Sequence, residues 1–160
     1  METAITTRAA EYADVFAIAE FHTQVWNEAY RGLVPASYLD RTTVADRELR
    51  WADRMKRRDT LLAERGGELV GLASSSRRDD ERPGPLLELN SLYVADGMRS
   101  AGLGARLVEE LLRGAPAVLW VFAANTRAIA FYERCGFSVD GHERIDDAAG
   151  LPAELRMSRS

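Results

Sequence analysis

The feature that most constrains this chain is a strand that runs through a glycine turn into a helix. Leu86 to Val94 is dense in leucine, ends in Tyr93-Val94 and reads as a strand. After a short loop, Arg99-Ser100-Ala101-Gly102-Leu103-Gly104 opens a helix from Gly102 to Arg113. Its apolar stripe is Leu103, Leu107 and Leu111, flanked by Val108 and Leu112. The first turn of a helix leaves backbone N–H groups without internal partners, and the macrodipole adds partial positive charge there. Glycine has no Cβ, so an anion can approach the backbone, and an arginine can fork onto phosphate oxygens. The turn therefore suits a pyrophosphate. A Walker loop needs Gly-Lys-Ser/Thr, and no lysine stands here. A dinucleotide fingerprint fails too, because Leu107 occupies the place of its third glycine. The hexapeptide alone is equally consistent with a flexible helix start.

The rest of the chain supplies a sheet around that strand. Leu87, Leu89 and Tyr93 share one parity and Leu86, Leu92 and Val94 the other, which predicts a central strand covered on both faces. A first strand is expected over residues 3–8 and a helix from Tyr12 to Tyr30. That helix buries Val15, Ile18, Ala19, His22, Val25, Trp26 and Ala29, and Gly32 with Pro35 ends it. Thr43 caps a second helix to about Arg57, with Asp46 facing Arg50 at i, i+4. Leu61–Ala63 and Leu69–Ala73 flank Gly66-Gly67 as a hairpin. A charged loop, Arg77 to Pro85, leads into the leucine-rich strand. Ala117 to Phe122 reads as a strand and Asn125 to Arg134 as a helix; Phe137–Asp140 and Glu154–Ser158 are the last strands. This order predicts one α/β domain over residues 1–160, a mixed sheet with helices on both faces.

Charge and cysteine usage narrow the function. The formal net charge of -4 disfavours nucleic acid as a partner. The basic run Arg54, Lys56, Arg57 and Arg58 reads as a solvated helix face, and Arg77-Arg78 as a solvated loop. The single cysteine, Cys135, can form no internal disulfide and points to a reducing compartment. It follows its helix and faces no evident base, which disfavours a nucleophilic role. No secretion signal and no span of roughly 20 apolar residues is read, so a cytoplasmic protein without membrane contact is expected. His22 and His142 have no ligand spacing, and no metal is expected.

Two segments together resemble the GNAT superfamily of N-acetyltransferases. Arg99-Ser100-Ala101-Gly102-Leu103-Gly104 matches the R/Q-x-x-G-x-G/A turn. Asn125, Ala128, Phe131-Tyr132-Glu133 and Cys135-Gly136-Phe137 resemble the second signature, and Leu89 to Val94 the strand that splays to hold a pantetheine arm. Val25 to Pro35 is similar to a version common in bacterial members. The resemblance implies a mostly antiparallel, twisted sheet of about six to seven strands flanked by about four helices. It implies acetyl-CoA as co-substrate, with no metal. Coenzyme contacts would fall on Leu92, Tyr93, Val94, Arg99, Ser100, Ala101, Gly102, Leu103, Gly104, Ala105, Asn125 and Tyr132.

The implied reaction is attack of an amine on the thioester. An alkylammonium titrates near 10.4, so a base is needed at neutral pH. Glu88 lies inside an apolar strand, where desolvation would raise its carboxyl towards a useful value; the other reading is a charge at the solvent end of the strand. By resemblance Tyr132 donates a hydrogen bond to the leaving thiolate, and it also fits a core aromatic spaced from Ala128. Asn125 is at once a pantetheine contact by resemblance and a favoured helix cap. Trp26, Tyr30 and Arg31 end the first helix, which in the family often borders the acceptor pocket. The expected acceptor is the primary amine of a small molecule, with a homodimer allowed. The rivals are a protein N-terminal or lysine acetyltransferase and a non-catalytic acyl-CoA sensor.

Overall fold

The structure is a computed structural model and describes residues 3–160; Met1, Glu2 and the Ser100 side chain lie outside the described residues. Strand β1 (Ile5–Ala9) leads through a 3-10 turn, Tyr12–Asp14, into α1 (Val15–Tyr30). Two further helices follow, α2 (Ala36–Arg41) and α3 (Val44–Arg54), and then β2 (Asp59–Arg65), β3 (Glu68–Arg77) and β4 (Leu87–Val94). A second 3-10 turn, Asp96–Ala101, precedes α4 (Leu103–Leu112), β5 (Ala117–Phe122), α5 (Thr126–Arg134), β6 (Ser138–Arg144) and β7 (Glu154–Arg159). Among the described residues these make a seven-stranded sheet in the order β1-β2-β3-β4-β5-β7-β6. Only β4 and β5 run parallel, joined across α4; the other neighbours are antiparallel. The mixed, mostly antiparallel sheet is therefore as expected.

Local chemistry sets the element ends. Gly66 and Gly67 take φ +59° and +81°, the positive angles of the tight β2–β3 turn. Thr43 Oγ1 accepts from the Asp46 N–H at 3.1 Å, and the Asp46 carboxylate accepts from the Thr43 N–H at 3.0 Å. This closed capping box corrects the expected Asp46–Arg50 pair: the carboxylate turns back to the helix start, and Arg50 lines a cavity described below. The residues between Gly32 and Thr43 are not a plain connection. Six of them form α2, too short to show a helical period, and its Leu39 packs with Val34 and Phe122.

Strand β4 departs from simple alternation. Ser74 pairs with Ser91 and Ser75 with Leu89, so Asn90 is an extra residue, a β-bulge. The bulge reverses side-chain parity. Leu87, Leu89, Leu92 and Val94 consequently pack in the clusters built on α4, whereas Tyr93 joins the one built on α1 and α3. The strand is central as predicted, but its leucines crowd one face. The α4 face is completed by Ala63, Ala73, Leu103 and Leu107; the opposite face by Val15, Ile18, Val25, Trp51, Leu62 and Leu72. Gly71 lets α4 lie close on β3, since a Cβ there would sit 2.9 Å from Leu107 Cδ1.

Candidate active site

The bulge sits where the sheet opens. Strands β4 and β5 pair at Glu88–Val118, and beyond that point a cavity of about 180 Å³ lies between them. Glu88 to Tyr93 form one wall and Leu119 to Phe122 the other. Trp26 and Tyr30 of α1, Ala128 and Tyr132 of α5, and Arg144 and Glu154 complete the lining. Of the residues picked out from sequence, Glu88, Leu92, Tyr93, Tyr132, Trp26 and Tyr30 meet in this one cleft. Arg31 does not line it: its guanidinium pairs with Asp40 at 3.5 Å and is exposed.

The chemistry of the walls follows from burial. Glu88 is half-buried; desolvation raises its carboxyl above the ordinary range, and a 2.6 Å hydrogen bond from Asn90 Nδ2 to Glu88 Oε2 opposes that rise. Arg144 and Arg58 act in the same lowering sense. Arg144 is tied to Glu154 at 3.1 Å and lies 4.3 Å over the Trp120 ring. Burial pushes the Tyr132 phenol up, so it stays protonated, a donor rather than a phenolate. Asn125 caps α5, its Oδ1 accepting from the Ala128 N–H at 3.2 Å. It is not part of the cleft lining.

At the far end of β4 the glycine turn opens α4. Gly102 takes φ +75°, the left-handed conformation that glycine permits without strain. The first helical bond runs from the Arg106 N–H to the Gly102 carbonyl at 3.1 Å, so the amides of Gly104 and Ala105 precede it. Arg99 is partly exposed in the 3-10 turn that precedes α4, 3.9 Å from Asp96. Gly104 also packs two helices together. A Cβ there would stand 3.0 Å from Phe131 Cζ, so its missing side chain seats α4 against α5. Leu103 is buried in the core, Val94 packs in the same cluster, and Ala101 and Ala105 are exposed. An open, glycine-turned helix start carrying an arginine fits a pyrophosphate.

Sequence reasoning missed a second cavity, of about 130 Å³, next to the first. It is lined by Arg47, Arg50, Arg54 and Arg58 along α3 and the turn after it, with His22, Tyr38 and Thr42. Trp26, Asn90, Ser91 and Tyr93 line both cavities. The signal was present as arginines spaced three, four and four apart; grouping neighbours in sequence instead of by helical spacing hid it. Lys56 and Arg57 alone behave as the expected solvated face: both are exposed, and Arg57 pairs with Asp53.

His22 is structural in this setting. It is buried, its Nδ1 accepts from Trp51 Nε1 at 3.0 Å, and it stacks on Tyr93 with centroids 4.5 Å apart. Burial, and then the charges of Arg47, Arg54, Arg50 and Arg58, push its imidazole from 6.5 down to about 2. The unfolded chain therefore takes up a proton below 6.5 that the folded chain refuses, and stability falls with pH between those two values. Between about pH 7 and about pH 5 this amounts to roughly 2 kcal/mol. Urea denaturation at the two pH values checks it: His22→Gln should flatten the dependence by that amount, and an unchanged slope contradicts the assignment.

Comparison with known proteins identifies the family and the fold. The family model for the acetyltransferase (GNAT) family matches residues 20–137. A probable N-acetyltransferase of Mycobacterium tuberculosis is 29% identical over 147 residues, covering 86% of this chain and 82% of its own. The crystal structure of PaiA N-acetyltransferase from Thermoplasma acidophilum, in complex with coenzyme A, shares the fold with a TM-score of 0.79. It is 18% identical and covers 98% of this chain and 99% of that one. A ribosomal-protein-alanine N-acetyltransferase structure from Brucella melitensis gives a TM-score of 0.70 at 26% identity, covering 96% and 98%.

Proposed function

The chain belongs to the acetyltransferase (GNAT) family, and from that premise we propose that it moves the acetyl group of acetyl-CoA onto the primary amine of a small molecule by direct attack. The observation that carries this reading is the cleft between β4 and β5, which gathers a desolvated carboxylate, Glu88, and a protonated phenol, Tyr132. Acetyl-CoA supplies an activated thioester when bound. Arg99 and the first amides of α4 hold its pyrophosphate end, and the open edge of β4 after the bulge receives its pantetheine arm. Glu88 takes a proton from the incoming ammonium, so that the free amine forms the new C–N bond as the C–S bond breaks. Tyr132 gives its hydroxyl proton to the departing sulfur, and the second proton that the new amide nitrogen sheds restores the phenol through solvent.

The enclosure of the cleft by Trp26 and Tyr30 supports a small acceptor over a peptide. A peptide acceptor is the second reading, favoured by the likeness to a ribosomal-protein-alanine N-acetyltransferase. Incubation with acetyl-CoA and a panel of free amines and peptides, followed by free-thiol release, separates them. Amine-dependent thiol release is expected, faster with free amines; faster turnover of peptides overturns the small-molecule reading. Tyr132→Phe is expected to lower kcat by about 10- to 100-fold with little change in coenzyme affinity. Wild-type kcat in that variant would remove Tyr132 from the reaction.

A further inference from the structure

The arginine-lined cavity is out of proportion to the chain that holds it. The protein is net acidic, at -4, yet four guanidinium side chains converge here. Among the described residues none of the four is ion-paired. Arg47 is 3% exposed, and its Nη1 reaches only neutral oxygens, Thr42 O at 2.9 Å and Thr23 Oγ1 at 3.2 Å. Burial pulls the Arg47 and Arg54 guanidinium groups down, and Arg58 to about 10, the mark of charge held without a counter-charge. Uncompensated buried charge is costly, and an incoming anion relieves it.

The coenzyme does not account for this anion. The cavity opens beside His22 and Tyr93, on the face covered by α1 and α3, whereas α4 and its turn pack on the other face. Neither Arg99 nor the Gly102–Gly104 turn lines it. It joins the cleft instead, through Trp26 and Asn90, and both carry a buried polar atom without a partner. Trp26 Nε1 is a donor suited to an anion. Asn90 Oδ1 is an acceptor suited to an ammonium, beside Glu88.

We infer that this cavity selects the acceptor: the substrate is a small primary amine that also bears a carboxylate or phosphoryl group, its nitrogen in the β4–β5 cleft and its anion among Arg47, Arg50, Arg54 and Arg58. Planar arginine forks match both anions. A polyamine would bring positive charge against four arginines and is excluded from the same place. The inference rests on the transferase reading above.

Matched amines test it. O-phosphoethanolamine against ethanolamine and β-alanine against propylamine each differ in the anion, and putrescine supplies the cationic case; the first two pairs also separate phosphoryl from carboxylate. At least one anionic member should exceed its neutral partner in kcat/KM by about 100-fold, and Arg54→Gln or Arg58→Gln should shrink that ratio by about 10-fold. Turnover that is equal or better with neutral amines or putrescine overturns the inference and leaves the transferase reading intact. Tryptophan fluorescence gives a readout independent of turnover, because Trp26 and Trp51 lie under Arg47 and Arg54. Saturable quenching by O-phosphoethanolamine, lost in Arg54→Gln, with no acetyl transfer to any amine, would overturn the transferase reading and retain the anion site. Absence of both quenching and preference overturns the site.

Discussion

Replacing Glu88 with glutamine should lower kcat at neutral pH by about 100- to 1000-fold. Glutamine keeps an oxygen for the 2.6 Å hydrogen bond from Asn90 Nδ2, so the bulge and the cleft walls survive the change. What is lost is the capacity to take a proton. Wild-type activity should fall as pH drops through the raised carboxyl value of Glu88, since the protonated acid is no base. The variant should lose that acidic limb while binding acetyl-CoA as before. The measurement is a pH profile of kcat/KM for both proteins, with coenzyme titration by calorimetry. A variant that keeps more than about a third of wild-type kcat would move the base elsewhere, to a water chain or another group.

Gly104→Val should weaken coenzyme A binding by about 30- to 100-fold. Even a single Cβ at this position would meet Phe131 at 3.0 Å, so the two extra methyl groups of valine force α4 away from α5. Overpacking of this kind costs about 1–3 kcal/mol of stability. The amides at the start of α4 then lose their common aim. A hydrogen bond to a charged group is worth about 1.5–3 kcal/mol, so misdirecting one accounts for the expected loss. Calorimetric titration with coenzyme A, beside a thermal melt showing a cooperative fold, is the check. Full affinity in a folded variant would mean that the start of α4 holds no phosphate.

Much of this was readable from the chain because its local signals agree. The Gly66-Gly67 turn, the Thr43 cap and the leucine stripe of α4 each sit where propensity and periodicity put them. The misreadings have definite causes. Parity along Leu86 to Val94 assumes an unbroken period of two, and the Asn90 bulge breaks it without leaving a mark such as glycine or proline. That one residue also lines the cleft and carries an unpartnered acceptor there, Asn90 Oδ1. The bare Cα of Gly104 faces Phe131, a contact between helices that sequence spacing does not display. The α3 arginines were legible as a stripe, but only α3 packing on α1 shows that they line one cavity, with Arg47 buried and Arg50 exposed.

The most direct test of the central claim is a crystal structure with coenzyme A and a bound acceptor amine. The expected complex has the pyrophosphate on the first turn of α4 beside Arg99. Its sulfur lies within hydrogen-bonding reach of the Tyr132 hydroxyl, and the acceptor nitrogen near Glu88. A coenzyme whose phosphates sit among the α3 arginines, with the α4 turn empty and Tyr132 far from sulfur, would contradict it.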